Sequence, residues 1–190
     1  MKNLFLLLIP ILLLSSCDGL DVFADYDKET DFTQYKTYDF LPWPEQNDQM
    51  INDINKNRVL NAISNELEQR GYTRVENNAD VHVNFIIIIE KKTGVQAYTD
   101  YYGAGGYGGY GGYGGYYYPM GYGYSQTRYV EYDYLRGTAI VDIFETKSKS
   151  LIWQGTGIGT VNESDKNRER SINSAMTKIF SRYPVARIKK

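Results

Sequence analysis

The chain has one cysteine and one histidine among its 190 residues. A single thiol excludes an intramolecular disulfide, even in an oxidising compartment. It also leaves too few ligands for a Cys/His zinc site. A hydrolytic triad would have to be built on His82 alone, with a positioned Ser or Cys beside it. His82 falls in a strand-like run, facing away from the main apolar side, and reads as a structural or surface imidazole. Charge of either sign is not in excess: 21 Lys+Arg against 23 Asp+Glu give a formal net charge of −2. That balance excludes the basic footprint of a nucleic-acid binder and the acidic bias of a solvating tail. Long apolar runs are missing too, apart from residues 4–14, about half of the ~20 needed to cross a bilayer as a helix.

That one run has a distinct setting. Lys2 precedes it, and Leu14-Ser15-Ser16-Cys17 follows, giving a charged start, an apolar middle and small residues at a cleavage point. The only cysteine stands directly after the small residues. The segment resembles the bacterial lipobox, which implies removal of residues 1–16 and covalent lipid on Cys17. Two or more acyl chains anchor stably where one does so marginally. Residues 17–21 would then be the lipidated Cys17 and a tether whose four extended residues reach ~14 Å. A single domain over 22–190 would sit close to the lipid. In enteric bacteria an Asp at the position of Asp18 retains such proteins at the inner membrane, a rule other lineages do not follow. The expected address is the cell envelope, at the outer membrane facing the periplasm in preference to the inner membrane or the surface.

Residues 22–27 and 35–40 read as strands, and Pro42-Trp43-Pro44 then stops regular structure. Over 51–70, Ile54, Val59, Ala62, Ile63 and Leu67 recur at helical spacing, with Gly71 placed to terminate the helix. The run 81–90 is a strong strand: Val81, Val83, Phe85, Ile87 and Ile89 face one way, while Ile86 and Ile88 imply a partly covered second face. Residues 138–144 and 151–161 form a hairpin around the polar turn 146–150. Ile172, Ala175, Met176, Ile179, Phe180 and Tyr183 make a last helical face, ended by Pro184, with Ser164 or Asp165 available as its cap. The order β-β-α-β-(insert)-β-β-α predicts an α+β fold: a two-layer sandwich with a mixed, mainly antiparallel sheet of about five strands and two helices on one face.

Most of the 19 Tyr and 18 Gly fall in the insert, which spans about 98–128. Its centre repeats Gly-Gly-Tyr with period three through Tyr107, Tyr110, Tyr113 and Tyr116. Glycine at that density rules out a helix, the missing imino acids rule out collagen, and the lack of aliphatic residues predicts a poorly ordered loop. The alternative is a sticky arm whose tyrosines stack on glycan rings or aromatic groups. Gly103-x-Gly105-x-x-Gly108 matches a dinucleotide fingerprint only in spelling, because no strand feeds it and no helix follows.

Other chemistry is thin. Asp25, Asp27, Glu29 and Asp31 alternate as in a calcium loop, but Thr30 replaces the turn glycine and Lys36 the bidentate glutamate. No metal or dissociable cofactor is expected. Nothing in the spacing of Asp142, Glu145 and Asp165 forces them together as a carboxylate pair. Gly155, Gly157 and Gly159 lack the Lys-Ser/Thr ending of a phosphate loop and read as a strand face that another element approaches closely. Trp153 reads as core. Trp43, between two prolines, is the better contact residue.

Taken as a set, these segments resemble one family. Asp25-Tyr26-Asp27, Asp31-Phe32 and Tyr35-Lys36-Thr37-Tyr38 open it. Arg70-Gly71-Tyr72 ends its helix, and Ala79-Asp80 leads into Val81-x-Val83-Asn84-Phe85. Gly137-Thr138-Ala139-Ile140-Val141-Asp142, the strand Leu151-Ile152-Trp153-Gln154-Gly155-Thr156 and Ile179-Phe180-x-x-Tyr183-Pro184 complete it. The chain resembles the bacterial lipoproteins called domain of unknown function 4136 (DUF4136). The resemblance implies an α/β envelope lipoprotein and carries no catalytic residues to transfer. The leading expectation is a non-catalytic binding or scaffolding module, anchored by lipid and meeting envelope proteins or glycans, with no nucleic-acid partner. An adhesin acting through the tyrosine-glycine arm is the alternative, and a carboxylate hydrolase the third.

Overall fold

The structure is a computed structural model and describes residues 19–102, 124–162 and 165–188. Cys17 and the repeat tyrosines Tyr107, Tyr110, Tyr113 and Tyr116 lie outside the described residues. In chain order the elements are β1 (Leu20–Tyr26), a 3-10 turn (Phe32–Gln34), β2 (Thr37–Phe40), α1 (Glu45–Asp48), α2 (Asp53–Glu68), β3 (Thr73–Arg74), β4 (Val81–Tyr102), β5 (Tyr124–Glu145), β6 (Leu151–Val161) and α3 (Arg168–Phe180). They form one sheet of six strands in the order β1-β6-β5-β4-β2-β3. The neighbours β1/β6, β6/β5 and β5/β4 are antiparallel, and β4/β2 and β2/β3 are parallel. The α+β class and the mixed, mainly antiparallel sheet are as expected. The sixth strand is β3, two residues long, too short to leave a pattern in sequence.

The two long helices pack against one face of the sheet. Val59, Ile63 and Leu67 of α2 and Met176, Ile179 and Phe180 of α3 share a buried cluster with Val83, Phe85, Val141, Ile143 and Trp153. The spacing of the apolar residues is what turns each helix inward. Asn52 caps α2 by accepting from the Asn55 N–H at 3.0 Å. Gly71 takes a φ of +90° just past the helix end, a conformation glycine adopts at no steric cost. The glycines of β6 let α3 approach. A Cβ on Gly155 would lie 2.7 Å from Ile179 Cγ2 and would also strike Trp153, and one on Gly157 would lie 2.9 Å from Ile179 Cδ1. Helix α3 stops at Phe180, with Ser181–Tyr183 in a tight turn before Pro184. Asn167 precedes it without a side-chain cap. Asp165 instead accepts from the Asn167 N–H and the Ser171 hydroxyl.

Two expectations are corrected. No described element covers the second face of the sheet: Ile88 is 43% and Phe23 59% exposed there. The insert also begins later and ends earlier than 98–128, because β4 runs on to Tyr102 and β5 starts at Tyr124. The two strands pair residue for residue from Val81↔Glu145 to Tyr102↔Tyr124. Their pairing with the other strands stops far sooner, at Val83 for β2 and at Leu135 for β6. Among the described residues β4 and β5 have only each other from Lys92↔Tyr134 outward, a two-stranded ribbon roughly 35 Å long at ~3.3 Å per residue.

Candidate functional site

The polar contacts of the body converge where the two helices meet. Arg70, two residues past the end of α2, donates to Glu66 Oε2 and to the Glu66 carbonyl, each at 2.7 Å, to the Phe180 carbonyl at 2.7 Å and to the Val185 carbonyl at 3.0 Å. Its guanidinium therefore ties α2 to the end of α3. Glu66 Oε1 accepts from Thr177 Oγ1 at 2.7 Å and from Arg187 at 2.6 Å. Burial pushes the Glu66 carboxyl up, but the bonds from Arg187, Thr177 and Arg70 outweigh it and hold the group below the ordinary carboxylate value. The same bond to Glu66 raises the Arg187 guanidinium.

An aromatic cluster adjoins this clamp. The Tyr183 ring stands edge-on to Trp153 at 5.1 Å and to Phe32 at 5.6 Å, and its hydroxyl meets that of Tyr72 at 2.8 Å. Burial drives the Tyr183 phenol far above its ordinary value. Tyr35 is pushed up to about 12 by burial and by its hydrogen bond to Glu145. Asp80 accepts from the Lys36 N–H, the Thr37 N–H and the Thr37 hydroxyl at 2.8–2.9 Å. The Lys36 backbone bond leads in holding its carboxyl low. Each of these shifts moves the group away from neutrality. The arrangement holds the carboxylates ionised and the phenols protonated near pH 7.

The remaining polar residues singled out from the sequence are engaged separately. On the uncovered sheet face His82 Nδ1 bonds Asp39 Oδ1, and the residue opposite His82 on β5 is Phe144. Asp142 accepts from Gln154 at 2.7 Å, Glu145 from Ser148 and Tyr35, and Asp165 from Ser171 at 2.5 Å. Asp27 and Asp31 accept from Thr30 and Thr33 within their own turns. Among the described residues no three of His, Cys, Asp and Glu converge as metal ligands. Trp43 is half-buried. Phe85 stacks on it with 5.8 Å between centroids, Lys56 sits 5.1 Å from its centroid, and its Nε1 donates to Asp48 at 2.8 Å.

Asn47 carries a role that no sequence pattern announced. Fully buried in α1, it donates to the Phe85 carbonyl at 2.8 Å and accepts from the Ile87 N–H at 3.1 Å. Its amide thus takes the place of a strand on the β4 edge, just beyond the point where β2 leaves off. An unpaired edge is a template for pairing with another chain, and covering it blocks that. Past Ile87 the cover ends.

The ribbon begins five residues further on, at Lys92. Its side chains bond across the strands: Thr93 to Asp133 at 2.9 Å, Thr99 to Thr127 at 3.1 Å, Lys91 to Asp133 at 2.6 Å. Tyr132 lies over Gly94, where a Cβ would come within 2.7 Å of the ring, and pairs with Tyr134 at 5.9 Å between centroids. Exposed apolar groups crowd the ribbon: Tyr129 is 74% exposed, and Val95, Tyr98, Val130 and Tyr132 are exposed with it.

Fold and site together define a two-layer α+β module whose signature residues lock the body and whose central hairpin projects beyond it. The chain belongs to the family described as Domain of unknown function (DUF4136), whose profile matches residues 22–185. No curated protein matches it. Among solved structures it is similar to a PDZ domain protein from Parabacteroides distasonis, with a TM-score of 0.51 and 13% identity over 89% of this chain and 37% of that one. The chain therefore spans little more than a third of that protein, and the likeness is one of fold. The PelC dodecamer from Paraburkholderia phytofirmans is similar at a TM-score of 0.46 and 11% identity, over 85% of this chain and 95% of that one.

Proposed function

We propose that this protein is a lipid-anchored envelope module, held through Cys17 at the outer membrane facing the periplasm, which binds a partner protein through its β4–β5 ribbon and does no chemistry of its own. The observation that carries the reading is the ribbon's pairing. Beyond Lys92 both outer edges lack a neighbouring strand among the described residues, and both faces carry exposed tyrosines and valines. An isolated two-stranded hairpin is marginally stable, and free edges accept an added strand. A photo-crosslinking residue at Tyr129, in cells, should then capture one discrete envelope protein, while the same residue at Glu76 in the body does not. Adducts from Glu76 and none from Tyr129 would overturn the reading.

Glycan binding is the second reading, favoured by the exposed rings of Tyr98, Tyr129 and Tyr132, which suit stacking on sugar rings. Under it, replacing Tyr98, Tyr129 and Tyr132 together by Ser lowers glycan binding or cell aggregation with the body intact. Unchanged binding would remove it.

A further inference from the structure

An open groove of about 790 Å³ lies between the start of α2, the start of α3 and the helix-facing side of the sheet. Its floor is one cross-strand row, Leu20–Gly159–Gly137–Ile89, and Val59 and Ile172 stand on its two walls. The volume falls in the range of small-ligand sites, which are mostly apolar. The floor's backbone is committed to three successive antiparallel ladders, β1/β6, β6/β5 and β5/β4. Between the outer edges of β1 and β4 it therefore offers no row of free N–H and C=O groups to an extended peptide, which needs them. An alkyl chain needs none.

The chain's own course supplies one. Leu20 is the first residue of β1 and lies across the floor, its Cδ1 3.1 Å from where a Cβ on Gly159 would stand. Gly19 lines the groove as well. Only Asp18 and Gly19 separate Cys17 from Leu20, and two extended residues span at most ~7 Å. A lipid on Cys17 is thus attached within reach of the groove mouth.

We infer that the groove receives one acyl chain of the lipid carried by Cys17, an inference that rests on the reading of Cys17 as the lipidated residue. Away from a bilayer the chain lies in the groove, shielded from water. At a bilayer it exchanges into the membrane and joins the other chains of the lipid in anchoring the protein.

The test uses the full-length protein made in its own host fed a fatty acid with a terminal diazirine, purified in mild detergent, irradiated and mapped by mass spectrometry. The expected result is a labelled Cys17 peptide cross-linked within the same chain to the peptides carrying Ile89 or Ile172. Ala139→Phe, which narrows the groove, should abolish those adducts while leaving the label on Cys17 and the circular dichroism unchanged. If that variant does not fold, Ile172→Trp blocks the facing wall. Label on Cys17 with adducts only to detergent or co-purified lipid would overturn the groove and leave the anchor standing. Groove adducts from a fatty acid not attached to Cys17 would overturn it in favour of a membrane lipid. A chain with no label on Cys17 would overturn both readings.

Discussion

The body and the ribbon are made from the same two strands, and they obey different rules. Up to Ile89, β4 has helices on one face and a strand or the Asn47 amide on its outer edge as far as Ile87. Beyond Lys92 it has β5 and nothing else among the described residues. In the body the polar groups are buried and multiply bonded, as at Glu66 and Arg70. In the ribbon they are exposed, as at Asp133, which is bonded by Lys91 and Thr93. Several of the residues that carry the resemblance to the family (Tyr72, Trp153, Phe180, Tyr183) sit in the body's core, while others, Tyr26 and Leu151 among them, are exposed.

The contrast breaks most visibly at Glu66. Glu66→Ala leaves the Arg70 guanidinium buried beside a lost partner, and removing one member of a buried pair costs about 3–5 kcal/mol. The melting temperature should drop sharply. Lys91→Ala, which removes an ion pair whose side chains are 68% and 50% exposed, should shift it little, since such pairs contribute about 0–1 kcal/mol. Equal effects would show that the ribbon is as integral as the body. Acid titration probes the same site. The Glu66 carboxyl is held below its ordinary value, so its contribution is present above the unfolded pKa of about 4.3 and is lost as pH falls through the folded one. Asp80 acts in the same sense. Unfolding measured against pH should steepen below about pH 4, and Glu66→Gln should flatten that limb. A variant as acid-sensitive as the parent would refute the assignment.

Much of the body was legible because its signals are local. The helical spacing of Val59, Ile63 and Leu67, the alternation from Val81 to Ile89 and the polar turn after Glu145 each lie within a dozen or so residues, and each places its element. Glu66 and Arg70 bond to Arg187 and Phe180, more than a hundred residues away in sequence, and such bonds leave no mark in a local pattern. The ribbon was illegible for the same reason in stronger form. Residues 91–102 have no apolar side of their own, and Gly94 interrupts them. Their strand state comes from partners up to 40 residues off, such as Asp133 for Thr93. Asn47 stands between two charged or polar neighbours in a four-residue helix, where nothing distinguishes a structural amide from a surface one.

Asn47 gives the next largest effect. Asn47→Ala strands a buried carbonyl at Phe85 and an N–H at Ile87, and unsatisfied buried groups cost about 1–3 kcal/mol each. The variant should also lengthen the free edge of β4 inward. Hydrogen exchange should then rise at Ile87 before any global loss of protection, and light scattering should show more self-association than for the parent. Loss of stability with unchanged exchange at Ile87 would mean that Asn47 acts through packing alone.

A smaller step is Tyr183→Phe. It removes the bond to the Tyr72 hydroxyl and keeps the ring against Trp153 and Phe32. A single neutral hydrogen bond contributes about 1 kcal/mol. Denaturant unfolding should give a loss of that order with an unchanged slope. A loss several times larger would place the phenol network, and not the ring packing, at the centre of the core.

The smallest expected effect on stability belongs to the ribbon. Tyr129 is 74% exposed, and surface substitutions away from special features fall within about 0.5 kcal/mol. Tyr129→Ser should therefore leave the denaturant midpoint in place while reducing capture of a partner by a cross-linker placed beside it at Val130. Tyr132→Ser differs in one respect, because the Tyr132 ring covers Gly94 and its removal bares backbone in a ribbon with no other support. Exchange at Gly94 and Val95 should quicken in that variant alone. If both variants lose stability together, the ribbon folds as part of the body, and the boundary drawn at Lys92 is in the wrong place. If both keep stability and only partner capture falls, the chain has separated its two tasks along a single pair of strands.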